Sequence, residues 1–447
     1  MHMKKILILS ALALLCCYPV GAQTKADAPK TNIEFIEYDL PNGLHVILYE
    51  EHSTPNVMMS IMYHVGSKNE QPHLTGFAHL FEHLMFEGSA NIQRGEFFKL
   101  VQSRGGELNA NTSADRTFYF EFMPSNELEL VIWMEADRLL QAQIDSIGVA
   151  TQKGVVIEER KQSYDSRPYG SFLEEAGKRA YTQHPYQWQT IGYPEHIRNS
   201  SFEDVFNFYK TYYVPNNAVV VISGDIDVPQ TRAWLEKYFG SIPRGTRPIY
   251  RPEIVEPPLK AEVRDTIYDN IQLPAVFMAY RGPATGTKDA YAVGVLSQIL
   301  YGSAGSRFNA NIVDKGLAME TALLQLPLEH PSLCYVLGVA NVGADVAEVE
   351  TALNAELERV QNELVSEEEF QMAMASAEFQ LASGLTQLSN ITEELATNYT
   401  YFKDAGRINR QLEFYSQLSR QDLLDAAKKY FPINNRVVLY YLPKSAQ

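Results

Sequence analysis

The chain is poor in cysteine, in basic residues and in long apolar runs, and each shortage removes a class of protein. Three of its 447 residues are cysteine, and because Cys16 and Cys17 fall in an apolar N-terminal stretch, Cys334 stands alone beyond it. One thiol makes no internal disulfide, so stability must come from core burial. Asp and Glu number 54 against 38 Lys and Arg, a formal charge of −16 at pH 7. Such a balance argues against nucleic acid as a partner and reads most simply as solubility. Beyond the N-terminus no stretch is long and apolar enough to cross a bilayer, so no transmembrane segment is expected in the mature chain.

What the N-terminus does have is an export signal. Lys4 and Lys5 precede an apolar run from Ile6 to Cys17, and Val20-Gly21-Ala22 supplies small residues for cleavage. Leu15 before Cys16 disfavours a lipoprotein. Removing residues 1–22 takes Lys4 and Lys5 and no acid, which moves the formal charge from −16 to −18. An exported, periplasmic protein is expected, free or resting on a membrane surface. The rest of the chain is long enough for two cores.

Laid on itself, the chain repeats. Ser201-Phe-Glu-Asp204 leads through a helical pattern to Tyr212-Tyr213-Val-Pro-Asn216-Asn217, and Ser419-Arg-Gln-Asp422 leads likewise to Tyr430-Phe431-Pro-Ile-Asn434-Asn435, at a constant offset of 218 residues. Both copies have a Ser N-cap, an amphipathic helix, an aromatic pair, an Asn-Asn turn and a β-branched strand. Prolines 243, 248, 252, 257 and 258 mark an extended linker between the copies. The expected organisation is a signal peptide over 1–22, a first module over 31–242, a linker over 243–260 and a second, homologous module over 261–447. Strands near 34–50, 57–65 and 107–123 alternate apolar and polar residues, with helices near 75–86 and 92–104. That pattern predicts an α+β fold in which each module is an antiparallel sheet with helices packed on one face.

The chemistry sits in His79-Leu-Phe-Glu82-His83. On a helix these three polar residues share one arc, while Phe77, Leu80, Phe81 and Leu84 take the opposite face. Imidazoles four residues apart reach one zinc ion, and a carboxylate one turn after His79 lies beside the metal, where it takes a proton from metal-bound water. Isolated histidines such as His45, His64, His184 and His330 read as ordinary residues. A third ligand is needed. The helical stretch Val155-Val-Ile-Glu158-Glu159 offers two carboxylates, and spacing does not choose between them.

With these motifs the sequence resembles the pitrilysin and mitochondrial-processing-peptidase type of metallopeptidase, the inverzincins. His79-x-x-Glu82-His83 matches their motif, Glu159 matches their distal ligand, and Gly105-Gly106-Glu-Leu-Asn109-Ala110-Asn-Thr112 looks like their active-site strand. The likeness covers nearly the whole mature chain. It implies a zinc site with His79, His83 and Glu159 as ligands and Glu82 as general base. It further implies that Asn109 and Ala110, on an edge strand, bind substrate backbone by β-addition. The implied activity is a zinc metalloendopeptidase acting on peptides or unfolded protein segments.

Three departures qualify the match. At the repeat offset His79, Glu82, His83 and Glu159 fall on Ser297, Leu300, Tyr301 and Ala377, so the second module is expected to hold no zinc. Met319 stands where relatives place a substrate-gripping tyrosine, and the matching arginine is absent. A related, zinc-less subunit is therefore the expected partner, with a homodimer as the second reading. Gln152 stands where many relatives carry a glutamate beside the ligands. The rival function is a non-catalytic peptide-binding or assembly subunit of the same fold. A small-molecule zinc hydrolase is a weaker third, because the two-module layout suits peptides.

Overall fold

The computed structural model describes residues 32–444; the signal peptide expected over residues 1–22 lies outside them. Strands β1 (Ile36–Asp39), β2 (His45–Glu50), β3 (Asn56–Tyr63), β4 (Glu107–Thr112), β5 (Thr117–Pro124) and β6 (Ala218–Gly224) form one sheet in the order β1-β2-β6-β3-β5-β4. Strands β7 (Val263–Asp269), β8 (Ala275–Arg281), β9 (Ala318–Gln325), β10 (Leu333–Ala340) and β11 (Arg436–Pro443) form a second in the order β7-β11-β8-β10-β9. Without β1 the two orders are the same, and the 218-residue offset carries β2 onto β7, β3 onto β8 and β6 onto β11.

The expected antiparallel pattern needs one correction. In each sheet the last strand returns from a long helical excursion and inserts beside the first of the repeat, so β2–β6 and β7–β11 run parallel while the remaining pairs are antiparallel. No hairpin dictates its direction, since a parallel pair requires only a crossover.

The helices include α1 (Phe77–Leu84), α2 (Ser146–Arg160) and α3 (Phe172–Ala180) in the first half, and α4 (Lys288–Leu300), α5 (Glu367–Gly384) and α6 (Leu388–Phe402) in the second. Helices on one face only would leave apolar side chains uncovered, because β3 and β6 are buried on both sides. Val57, Met59 and Ile61 pack into the core shared with α1, whereas Met58, Met62, Val219 and Val221 on the reverse face pack against Ile391 and Leu395 of α6. The second sheet is covered reciprocally, by Ala176 and Ala180 of α3 against Phe277 and Tyr335. Moved by 218 residues, α3 falls inside α6, so the two halves of the chain exchange equivalent helices.

The exchange also brings two hairpins together. Lys68, 1 % exposed, pairs with Asp115 in the β4–β5 turn at 2.9 Å and with Glu329 in the β9–β10 loop. Asp115 Oδ2 accepts from Glu329 N at 2.9 Å, and Tyr186 Oη donates to Asp115 Oδ1 at 2.6 Å. Buried charges hold only when their lone pairs are met. Tyr186→Phe is expected to cost about 1.5–3 kcal/mol, the range for a hydrogen bond to a charged group, read by urea denaturation.

Candidate metal centre

Helix α1 is two turns long and is preceded by Gly76, whose φ of +90° suits glycine and which has no side chain to cap the helix. Its free N–H groups are met from outside: Glu70, buried in the preceding turn, accepts from Gly76 N at 2.9 Å and Ala78 N at 2.8 Å. Burial pushes the Glu70 carboxyl up to about 8, against those same donors. Phe77, Leu80, Phe81 and Leu84 are buried, which turns His79, Glu82 and His83 outward. Helix α2 opens on an Asp145 cap and closes with Glu159 and Arg160. Arg160 Nη1 donates to Gly192 O at 2.6 Å, and a Cβ on Gly192 would overlap the backbone of Gly76. The start of α1 and the end of α2 are thus held at one point.

Glu159 Oε2 lies 3.2 Å from His79 Nε2 and 3.2 Å from His83 Nε2. Tetrahedral zinc with bonds of about 2.0–2.1 Å holds its ligand atoms about 3.3 Å apart, so two imidazole nitrogens and one carboxylate oxygen fit this ion in kind and spacing. Glu158 points elsewhere, pairing with Lys161 at 3.7 Å. Among the described residues no other group of three or more His, Cys, Asp and Glu side chains is arranged to hold a metal ion.

Around these three side chains sits an outer ring of polar contacts. Glu82 Oε2 lies 3.3 Å from His79 Nδ1 and accepts from Thr112 Oγ1 at 2.6 Å. Burial pushes the Glu82 carboxyl upward, but His79 and Thr112 outweigh it and hold its pKa below the ordinary value. For His79, burial opposes the charged ring, yet Glu159 and Glu82 raise it to about 9 in the metal-free protein. His83 is lowered, by burial first and then by charged His79. Gln152 Oε1 accepts from His83 Nδ1 at 3.2 Å, leaving Nε2 toward Glu159, and its Nε2 donates to Glu87 Oε1 at 2.5 Å. Where a glutamate was expected, the carboxylate stands one step further out, on Glu87, which Arg94 pairs. Gln152→Ala is expected to weaken zinc binding about 10–100-fold, as loss of a ligand's outer partner does, measured by chelator competition.

Asn109 and Ala110 lie on β4, the edge strand beside α1. Asn109 is exposed and its Oδ1 accepts from Ala110 N at 2.8 Å, in place of a neighbouring strand. Strand alternation puts Thr112 on the face of Ala110. Strand alternation is the sequence signal that marks Thr112 for this site; Glu70 and Glu87 carry no such signal, since their contacts depend on the fold. In the second half, Ser297 donates to Leu323 O at 2.9 Å, Leu300 and Ala377 are buried, and Tyr301 is exposed. Met319 is 65 % exposed at the start of β9, and Arg307 is taken up by Glu369 at 2.7 and 2.9 Å.

Comparison with known proteins agrees with this layout. Residues 45–193 match the family described as Insulinase (Peptidase family M16), and residues 199–377 match the Peptidase M16 inactive domain. The chain is 27 % identical over 444 residues to the Zinc protease PqqE of Helicobacter pylori, covering 98 % of this chain and 99 % of that one. A solved protease from Helicobacter pylori superposes with a TM-score of 0.87 at 26 % identity, over 92 % of this chain and 100 % of the other. A peptidase M16 inactive domain from Pseudomonas fluorescens, 18 % identical, shares the fold with a TM-score of 0.82 over 93 % and 99 % of the two chains. With α1 and α2 inside the first matched region and their counterparts α4 and α5 inside or across the second, this chain belongs to the M16 peptidase family.

Proposed function

We propose that the chain is a zinc-dependent endopeptidase in which His79, His83 and Glu159 hold the ion and Glu82 is the general base. The observation that carries this reading is the convergence of three ligand atoms within 4.8 Å of one another, beside a carboxylate that is not one of them. Zinc bound there supplies Lewis acidity to a peptide carbonyl and lowers the pKa of water. Glu82 takes a proton from water and delivers it to the leaving amine. Both of its contacts fall on Oε2, which leaves Oε1 for that proton. Gln152 fixes the ring of His83.

Substrate enters as an extended strand on the free edge of β4, where its backbone displaces the Asn109 side chain from Ala110 N–H. Main-chain pairing demands an unfolded segment and carries little side-chain information. The division into modules 31–242 and 261–447 joined by 243–260 belongs to this reading, as does export to the periplasm. Among the described residues no helix is long and apolar enough to cross a membrane. With Met319 in the gripping position, a related zinc-less subunit supplies what the second module lacks; a homodimer is the second form. An inactive, assembly-only role is disfavoured because the ligand set and Glu82 are all present.

The test is cleavage of an unstructured peptide and of a folded domain by the zinc-loaded chain, alone and mixed with a related zinc-less subunit. The expected result is cleavage of the peptide alone, raised by the partner. No cleavage under either condition, with zinc bound, overturns the catalytic reading.

A further inference from the structure

One face of the molecule runs against its overall charge. On the helix Phe202–Tyr212, Phe202, Phe206 and Lys210 recur every fourth residue and all three are exposed. The two rings stack at 6.0 Å, and Lys210 Nζ lies 5.4 Å from the Phe206 ring centre. The stripe joins two surface hollows. One, of about 470 Å³, lies between Phe202 and the outer side of α2, with Val149, Ile157, Lys153 and Arg198 in its wall. The other, of about 350 Å³, lies beside Phe206 and Lys210, with Leu140, Arg244 and Arg247 in its wall. Leu140 is 42 % exposed and Phe202 44 %.

In a chain of formal charge −16, five cations surround this stripe and none forms an ion pair with a carboxylate of the described residues. Lys153 donates to Ser200 O at 2.6 Å, Arg244 to Asn42 O at 3.4 Å and Arg247 to Asn207 Oδ1 at 3.0 Å, all neutral acceptors. Lys210 faces a ring and Arg198 faces the hollow. The acids of the same helix are Glu203 and Asp204; Asp204 caps the helix with Ser201, and its charge also acts on the Lys153 ammonium without closing an ion pair. Unpaired guanidinium and ammonium groups around exposed aromatic rings suit a surface that is anionic at the headgroup and apolar just beneath. The metal centre opens on the other side of α2, so docking here leaves it free.

We propose that this face docks the protein on an anionic phospholipid surface, with Phe202, Phe206 and Leu140 entering the interface and the five cations meeting lipid phosphates. The inference is independent of the catalytic reading. The test is co-sedimentation of the purified chain with vesicles of equimolar phosphatidylglycerol and phosphatidylcholine, against vesicles of phosphatidylcholine alone. Binding is expected to the anionic vesicles only and to weaken at about 0.5 M salt. Lys210→Gln and Arg247→Gln are each expected to lower partitioning about fivefold, and Phe202→Ser with Phe206→Ser to abolish it. Unchanged melting temperatures keep these variants interpretable, and Lys210→Gln removes no hydrogen bond. Equal binding to both vesicle types, no binding to either, or indifference to the lysine and arginine variants overturns the proposal. So does sedimentation velocity showing that the same substitutions dissolve a dimer, because the face then joins two copies of the chain.

Discussion

Replacing Glu82 by Gln is expected to lower peptide hydrolysis about 10²- to 10⁴-fold while zinc stays bound. The amide is nearly isosteric, still accepts the Thr112 hydroxyl that now lies 2.6 Å from Oε2, and leaves His79, His83 and Glu159 untouched. What it loses is the capacity to take a proton. Neighbouring groups hold the carboxyl below its ordinary pKa, so it is ionised at neutral pH and ready to act as a base. The measurement is kcat/KM on an unstructured peptide together with zinc content. Zinc retained with activity within about threefold of wild type would assign the base role to another group.

The second large effect concerns the metal itself. His79→Ala removes one of three ligands and is expected to weaken zinc binding by more than the about 100-fold that loss of an outer partner causes. Zinc at about 1,000 times its Kd stabilises a folded protein by about 4 kcal/mol, so it should raise the melting temperature of the wild type and leave His79→Ala unmoved. The wild type should also load zinc in a pH-dependent way. In the metal-free site His79 is charged up to about pH 9, and the ion must displace that proton, so affinity should rise about tenfold per pH unit on the way to that value. A zinc affinity flat between neutral pH and 9 would show that His79 is not a ligand.

Much of this arrangement is legible in the sequence, because helix and strand periods are local. Phe77, Leu80, Phe81 and Leu84 declare the buried side of α1 and so turn the histidines and Glu82 to the other. The offset of 218 residues shows the duplication, and apart from β1 the second sheet repeats the strand order of the first. Contacts made across long stretches of chain are not legible in this way. The choice between Glu158 and Glu159 depends on the direction from which α2 crosses α1, which the clasp of Arg160 on Gly192 helps to set. The parallel strand in each sheet and the exchange of α3 for α6 also depend on where a chain returns after a long excursion. Gln152 is instructive for the same reason: its identity suggests a lost carboxylate, while the fold supplies Glu87 at the end of its amide.

The most direct measurement is anomalous diffraction at the zinc edge from crystals of the zinc-loaded chain. A single strong peak within bonding distance of His79 Nε2, His83 Nε2 and Glu159 Oε2, with Glu82 beside it and unbonded, is the predicted result. A peak at any other group of side chains, or none in protein that binds zinc in solution, would contradict the account.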